Sequence, residues 1–191
     1  MRTMWTRLFF VGAFCLASCL AVRAQEVVHA LTGVVTSVNK LNKSISVQAS
    51  DGSGNVFSYG DQHEAKVDLD KIIRSEAVDP DAYSGVGDHA IVYYYYIENN
   101  QETVVAIKDI GKAPLQVSTG TVVDEDRKHH TLTIKTAAGA NESYQIAKDT
   151  SIETPEGIID GLKFDPSRNT PVTVKYSGSK ENRVAQFVRE N

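Results

Sequence analysis

"TGVVTSVNKLNKSISVQASDG", residues 32–52, is written a second time as "TGTVVDEDRKHHTLTIKTAAG", residues 119–139, without a gap. Thr32-Gly33 falls on Thr119-Gly120, Ile45 on Leu132, Val47 on Ile134 and Gly52 on Gly139, and further on Phe57 meets Tyr144. The match resumes where Ile72-Ile73 meets Ile158-Ile159 and Val78-Asp79-Pro80 meets Phe164-Asp165-Pro166; "AIVYYY" (90–95) then meets "VTVKYS" (172–177). Matches that keep their order over most of a chain mark an internal repeat. We read two homologous β-modules, 27–112 and 115–191, joined near Gly111-Lys112-Ala113-Pro114.

Within each copy the spacing is that of strands. In "SISVQAS" Ile45 and Val47 alternate with Ser and Gln, and in "TLTIKTA" Leu132 and Ile134 alternate with Thr and Lys. Alternation of this kind belongs to a half-buried strand. The polar segments "NKLNK" and "EDRKHH" read as hairpin loops, and "DGSGN" and "AGANE" as second turns leading to "VFSYG" and "SYQIA". The middle of each module is less regular and has room for a helical turn or a short helix that Pro80 or Pro166 would end. "AIVYYYYI" with "TVVAIKDI", and "PVTVKYS" with "RVAQFVR", close the modules. About five short strands per module and no long helix predict an all-β protein, a tandem repeat of two small antiparallel OB-like β-barrel modules. The alternative is a pair of open sheets packed as a sandwich. Modules of this size are marginal alone, so the two are expected to pack together.

Four of the eight tyrosines stand side by side, Tyr93 to Tyr96. Successive strand residues face opposite ways. The repeat sets Val92 against Val174 and Tyr94 against Tyr176, which predicts Ala90, Val92, Tyr94 and Tyr96 inside the barrel. Tyr93 and Tyr95 then point outward, opposite Lys175 and Ser177, which look like solvent positions. This outward pair is the candidate ligand-binding surface, or else a contact with the sister module.

The chain opens with two arginines, an uncharged apolar run from Leu8 to Val22, and small residues before Gln25. That is the pattern of a secretory signal peptide over residues 1–24. The run is shorter than the roughly 20 residues of a membrane span, so no transmembrane segment is expected in the mature chain. A second cleavage pattern, Leu16-Ala17-Ser18-Cys19, matches a bacterial lipobox and would make Cys19 a lipidation site. Both cysteines, Cys15 and Cys19, lie in the leader, so a disulfide scaffold and thiol chemistry are not expected after cleavage. Loss of Arg2, Arg7 and Arg23 with the leader lowers Lys+Arg from 20 to 17 against 24 acidic residues, taking the net charge from −4 to −7. Nucleic-acid binding draws its affinity from clustered Lys and Arg, and is not expected here.

Other constellations favour plain structural roles. His129-His130 is a histidine pair in a hairpin loop with no third ligand at metal-binding spacing. Asp79-Pro80-Asp81-Ala82-Tyr83-Ser84-Gly85 begins like a calcium loop, but Ser84 and Ala90 stand where glycine and glutamate belong. Asp124-Glu125-Asp126 reads as a solvated acidic turn. No metal, cofactor or catalytic residue is assigned, because no nucleophile-elbow, zinc-protease, phosphate-loop or dinucleotide motif occurs.

"TGVVTSVNKLNKSISV", "GVGDHAIVYYY" and "TVVAIKDIG" together resemble the DUF5666-like, OB-like β-barrel modules of exported bacterial proteins, a family of unknown function. Gly33, Val35 and Val38 match the first family element, and Gly87, Asp88, Ile91 and Tyr93 approximate the second. Module two keeps Gly120 and Val122 but replaces the Gly-Asp pair by Thr170-Pro171. The resemblance implies a fold and an envelope location, and brings no functional residues. The expectation is a periplasmic or secreted binding or assembly protein without chemistry of its own, its partner an envelope protein, peptide or glycan. Two alternatives stand beside it: an envelope lipoprotein scaffold anchored at Cys19, and a small hydrolase or carbohydrate-active protein with carboxylates converging between the modules.

Overall fold

A computed structural model describes residues 26–60, 69–97 and 100–191; the expected leader, residues 1–24 with Cys19, lies outside the described residues. Eleven strands and one short helix follow in order: β1 His29–Asn39, β2 Ser44–Ala49, β3 Gly54–Ser58, α1 Lys71–Glu76, β4 His89–Tyr96, β5 Glu102–Gly111, β6 Gln116–Asp126, β7 Thr131–Thr136, β8 Asn141–Thr154, β9 Gly157–Asp160, β10 Pro171–Ser179 and β11 Asn182–Glu190. The protein is all-β with a minor helix. The first five strands close a barrel in the order β1-β2-β3-β5-β4. The other six run β11-β10-β6-β7-β8-β9, and β11 also pairs with β8, so five of them close the same ring. This excludes the open sandwich.

The repeat holds at the level of register. Gly33 pairs with Ala49 and Gly120 with Thr136; Ser46 pairs with Val56 and Thr133 with Ser143. Each first strand carries an irregularity at the same place, Val35/Ser37 and Val122/Asp124. Closure matches too: Ser58 pairs with Thr103 and Gln145 with Val184, in both cases between parallel strands, a departure from the fully antiparallel expectation. Gly33 and Gly120 make the tight wall possible. A Cβ there would stand 2.3 Å from the Gln48 carbonyl oxygen and 2.4 Å from that of Lys135.

The turn before the fourth strand corrects the alignment by one residue. Val35 exchanges backbone bonds with Gly87 and Asp88, and Val122 does so with Asn169 and Thr170. Asn169 therefore replaces Gly87; both have left-handed backbones, at φ 68° and 84°. Asn is the residue after Gly that best tolerates this region. In the middle of module one, Asp70 caps α1 by accepting from the Ile72 amide at 2.8 Å. Module two fills the same interval with the β8–β9 hairpin and a 3-10 turn, Gly161–Lys163.

Each barrel has its own core. Val35, Ile45, Val47, Phe57, Val92, Tyr94 and Ile107 fill the first, and Val122, Leu132, Ile134, Tyr144, Val174 and Val188 the second. Burying side chains of this size contributes about 1.5–3 kcal/mol each. A third cluster spans both barrels: Val28, Ala30, Ile73, Ile91, Tyr93 and Tyr95 from the first, with Ile158 and Phe187 from the second.

Candidate functional site

The strand phase places Val92 and Tyr94 inside the first barrel, and Tyr93 and Tyr95 outside it. The outer face is nevertheless covered, since Tyr93 is 0% and Tyr95 1% exposed. The candidate ligand surface is thus corrected: β8, β9 and β11 of the second barrel occupy the face that a ligand would need. The Tyr93 hydroxyl shares a 2.5 Å hydrogen bond with the buried hydroxyl of Ser151. Burial pushes the Tyr93 phenol well above its ordinary range, against the smaller opposing effect of that bond. Tyr96, expected inside, is 41% exposed. Tyr96 keeps the side of Tyr94 but is the last residue of β4, so it stands at the barrel's open end.

Charged groups surround the apolar contact. Lys108 donates to the Asp149 carbonyl at 2.7 Å and to its carboxylate at 2.8 Å. Burial would raise Asp149, but the bond and the charge of Lys108 hold it below its ordinary value. Glu153 accepts from Arg189 Nε at 2.5 Å and from the Ala30 amide at 3.3 Å, while Arg189 Nη2 donates to the Ala30 carbonyl at 2.9 Å. Lys163 reaches across to Asp70 and lies 3.1 Å from Asp160. Asp70 is likewise lowered, burial being outweighed by Lys163 and the helix amides. Lys108 and Arg189 each pair with one carboxylate, whereas Asp70 and Asp160 converge on the single ammonium of Lys163. Glu190 is pushed up, first by burial and then by Glu156; it stands near the end of β11, in register with Val172.

Beside Glu153 lies the accessible part of the tyrosine strand. His29, whose Nδ1 is 3.4 Å from Glu153, packs its ring 5.8 Å from Tyr94 and 5.4 Å from Tyr96. Tyr94 and Tyr96 meet edge to face at 5.6 Å, and Phe57 backs Tyr94 at 5.1 Å. This rim offers a half-exposed aromatic surface next to a carboxylate and a guanidinium. Aromatic faces of this kind suit sugar rings and peptide side chains, being apolar at the centre and wet at the edge.

The remaining sequence candidates fall elsewhere. His129 Nδ1 lies 2.6 Å from Asp126, whose other oxygen accepts from the His129 amide, while His130 takes a left-handed turn position at φ 50°. Asp79 likewise caps a turn, accepting from the Asp81 amide at 2.9 Å. Asp124, Glu125 and Asp126 line an open hollow of about 530 Å³ in which Arg127 pairs with Glu125 and Asp165, and Arg168 with Asp124. Among the described residues no three His, Cys, Asp or Glu side chains gather to hold a metal, and no helix is long and apolar enough to cross a membrane.

Sequence reasoning passed over Lys108, Asp149, Ser151, Glu153 and Arg189. The alternation Ser151-Ile152-Glu153 was the available signal, since it puts Ile152 inside and its neighbours outside; it does not say what meets them. Compared with known proteins, the chain matches no family model and no curated protein.

Proposed function

We propose that this protein is an exported, non-catalytic binding or assembly protein in which two OB-like barrels act as one rigid body. The observation that carries the reading is the seam, where an apolar cluster drawn from both barrels is ringed by the Lys108–Asp149, Arg189–Glu153 and Lys163–Asp70 pairs. A seam of this kind fixes the relative placement of surfaces, which is what a scaffold needs. The contact surface is the aromatic rim of His29 and Tyr96, and the partner is an envelope protein, a peptide or a glycan. The leader-like residues 1–24 and the resemblance to exported OB-like modules support a periplasmic or secreted location. The run Leu16-Ala17-Ser18-Cys19 favours a second reading, a lipid-anchored scaffold.

Native mass spectrometry of the protein recovered from its host's envelope tests this. The expected result is a chain beginning at Gln25, carrying a bound species that Tyr96→Ala and His29→Ala release. A diacylglyceryl adduct on Cys19 would select the anchored form. Turnover of a glycan or peptide substrate, abolished by changing a seam carboxylate, would overturn the non-catalytic reading.

A further inference from the structure

Where β1 and the end of β2 of the first barrel meet β10 of the second, an ammonium and two hydroxyls come together with no carboxylate within 4 Å of the ammonium among the described residues. Lys175 Nζ donates to Thr32 Oγ1, and to Ser50 Oγ at 3.3 Å. An ammonium has three donors, and each hydroxyl that accepts one still has its own proton to give. One N–H of Lys175 and the hydroxyl protons of Thr32 and Ser50 are therefore left without an acceptor among the described residues, and all three are free to turn toward a shared ligand.

We propose that Lys175, Thr32 and Ser50 form a binding site for a small oxyanion, a carboxylate, sulfate or phosphate group, at the seam of the two barrels.

The register assembles the site. Gly33 pairs with Ala49, which sets Thr32 and Ser50 side by side at the end of the β1–β2 ladder. Lys175 stands on β10 between Val117 of β6 and Phe187 of β11, on the outer face of its barrel. Thr32 is buried and forms the floor, Lys175 is half-buried, and Ser50 is exposed and forms the mouth. Where the sequence suggested a solvent position, Lys175 is a partly desolvated cation. No carboxylate lies within 4 Å of it among the described residues.

The surrounding charges fit an anion. Arg189 is the strongest charged neighbour and, after burial itself, depresses the Lys175 ammonium; Asp51 and Glu153 oppose it more weakly. Both carboxylates are already engaged. Asp51 accepts from the Ser53 amide at 2.8 Å and hydroxyl at 2.6 Å, and Glu153 is held by Arg189 and Ala30. A desolvated cation whose acidic neighbours are spoken for gains from a bound anion, which neutralises it and accepts the three spare protons. This goes beyond the scaffold reading, since it depends only on the Lys175 geometry and not on the aromatic rim.

The test is isothermal titration and thermal unfolding of the full chain with inorganic phosphate, sulfate and acetate, against chloride at equal ionic strength. At least one oxyanion should bind saturably and raise the midpoint, and the tightest of the three assigns the group. Binding should weaken about tenfold in Lys175→Met, as loss of a charge-assisted bond implies, and several-fold in Ser50→Ala, whose site is too exposed to disturb folding. Lys112→Met, which changes an exposed lysine paired with Asp88, should bind as wild type. The proposal is overturned if no oxyanion exceeds chloride, or if Lys175→Met and Ser50→Ala both keep the wild-type response.

Discussion

Tyr93→Ala puts the seam to its most direct test. The ring is fully buried against Ile158 and Phe187, so truncation removes an aromatic side chain from a packed cluster and costs about 3–5 kcal/mol. It also strips the buried Ser151 hydroxyl of its 2.5 Å partner, which adds about 1 kcal/mol or more. The expected loss is about 4–6 kcal/mol, a large share of the 5–15 kcal/mol that holds a typical protein folded. Urea unfolding followed by tyrosine fluorescence and far-UV circular dichroism measures it. In wild type the two signals should move together as one transition, since the barrels share a core cluster. In Tyr93→Ala the first barrel should melt earlier and the signals separate. Tyr93→Phe isolates the hydroxyl: about 1–2 kcal/mol should be lost, and most of it regained when Ser151→Ala removes the abandoned partner. A Tyr93→Ala loss below about 1 kcal/mol would refute the seam, because only a solvent-facing tyrosine is removed so cheaply.

Three further outcomes follow from the same contacts. Gly33→Ala and Gly120→Ala should each destabilise by about 1–3 kcal/mol in urea, and by similar amounts, because both new methyl groups meet a carbonyl oxygen on the neighbouring strand; a neutral Gly120→Ala would break the equivalence of the barrels. Lys108→Ala should cost about 1–3 kcal/mol by leaving Asp149 beside an empty place, the partial exposure of Asp149 keeping it under the cost of a fully buried pair; Lys108→Met with Asp149→Leu should recover most of it in the same assay. Asp149 and Asp70 are lowered in the folded state, so their contribution is complete above the unfolded carboxylate value of about 4 and is lost as pH falls through the folded values. Urea midpoints measured from pH 7 to pH 3 should therefore hold steady and then drop, and Asp149→Asn should make the drop shallower.

The aromatic rim shows how the end of a strand decides what is available to a partner. Strict alternation puts Tyr96 on the side of Tyr94, yet Tyr96 is the last residue of β4, and the barrel's end leaves it at the surface, within contact of His29. Alternation predicts sides of a sheet correctly while a strand stays regular. It has no means of saying where the cover over that side stops, because the cover is supplied by residues distant in the chain.

Two copies of one five-strand unit are legible in the order of residues alone, down to pairs 87 positions apart such as Gly33 and Gly120, and so is the inward set Val92, Tyr94, Val174 and Tyr176. The reason is that strand alternation and turn residues act over a few positions and leave a periodic trace. What covers Tyr93 and Tyr95, and that Lys175 turns to Thr32 and Ser50, emerges first in the folded chain. Those contacts join residues 58 to 143 positions apart. They depend on how two closed barrels dock, and docking is settled by the shape and charge of whole faces, for which a linear chain carries no period.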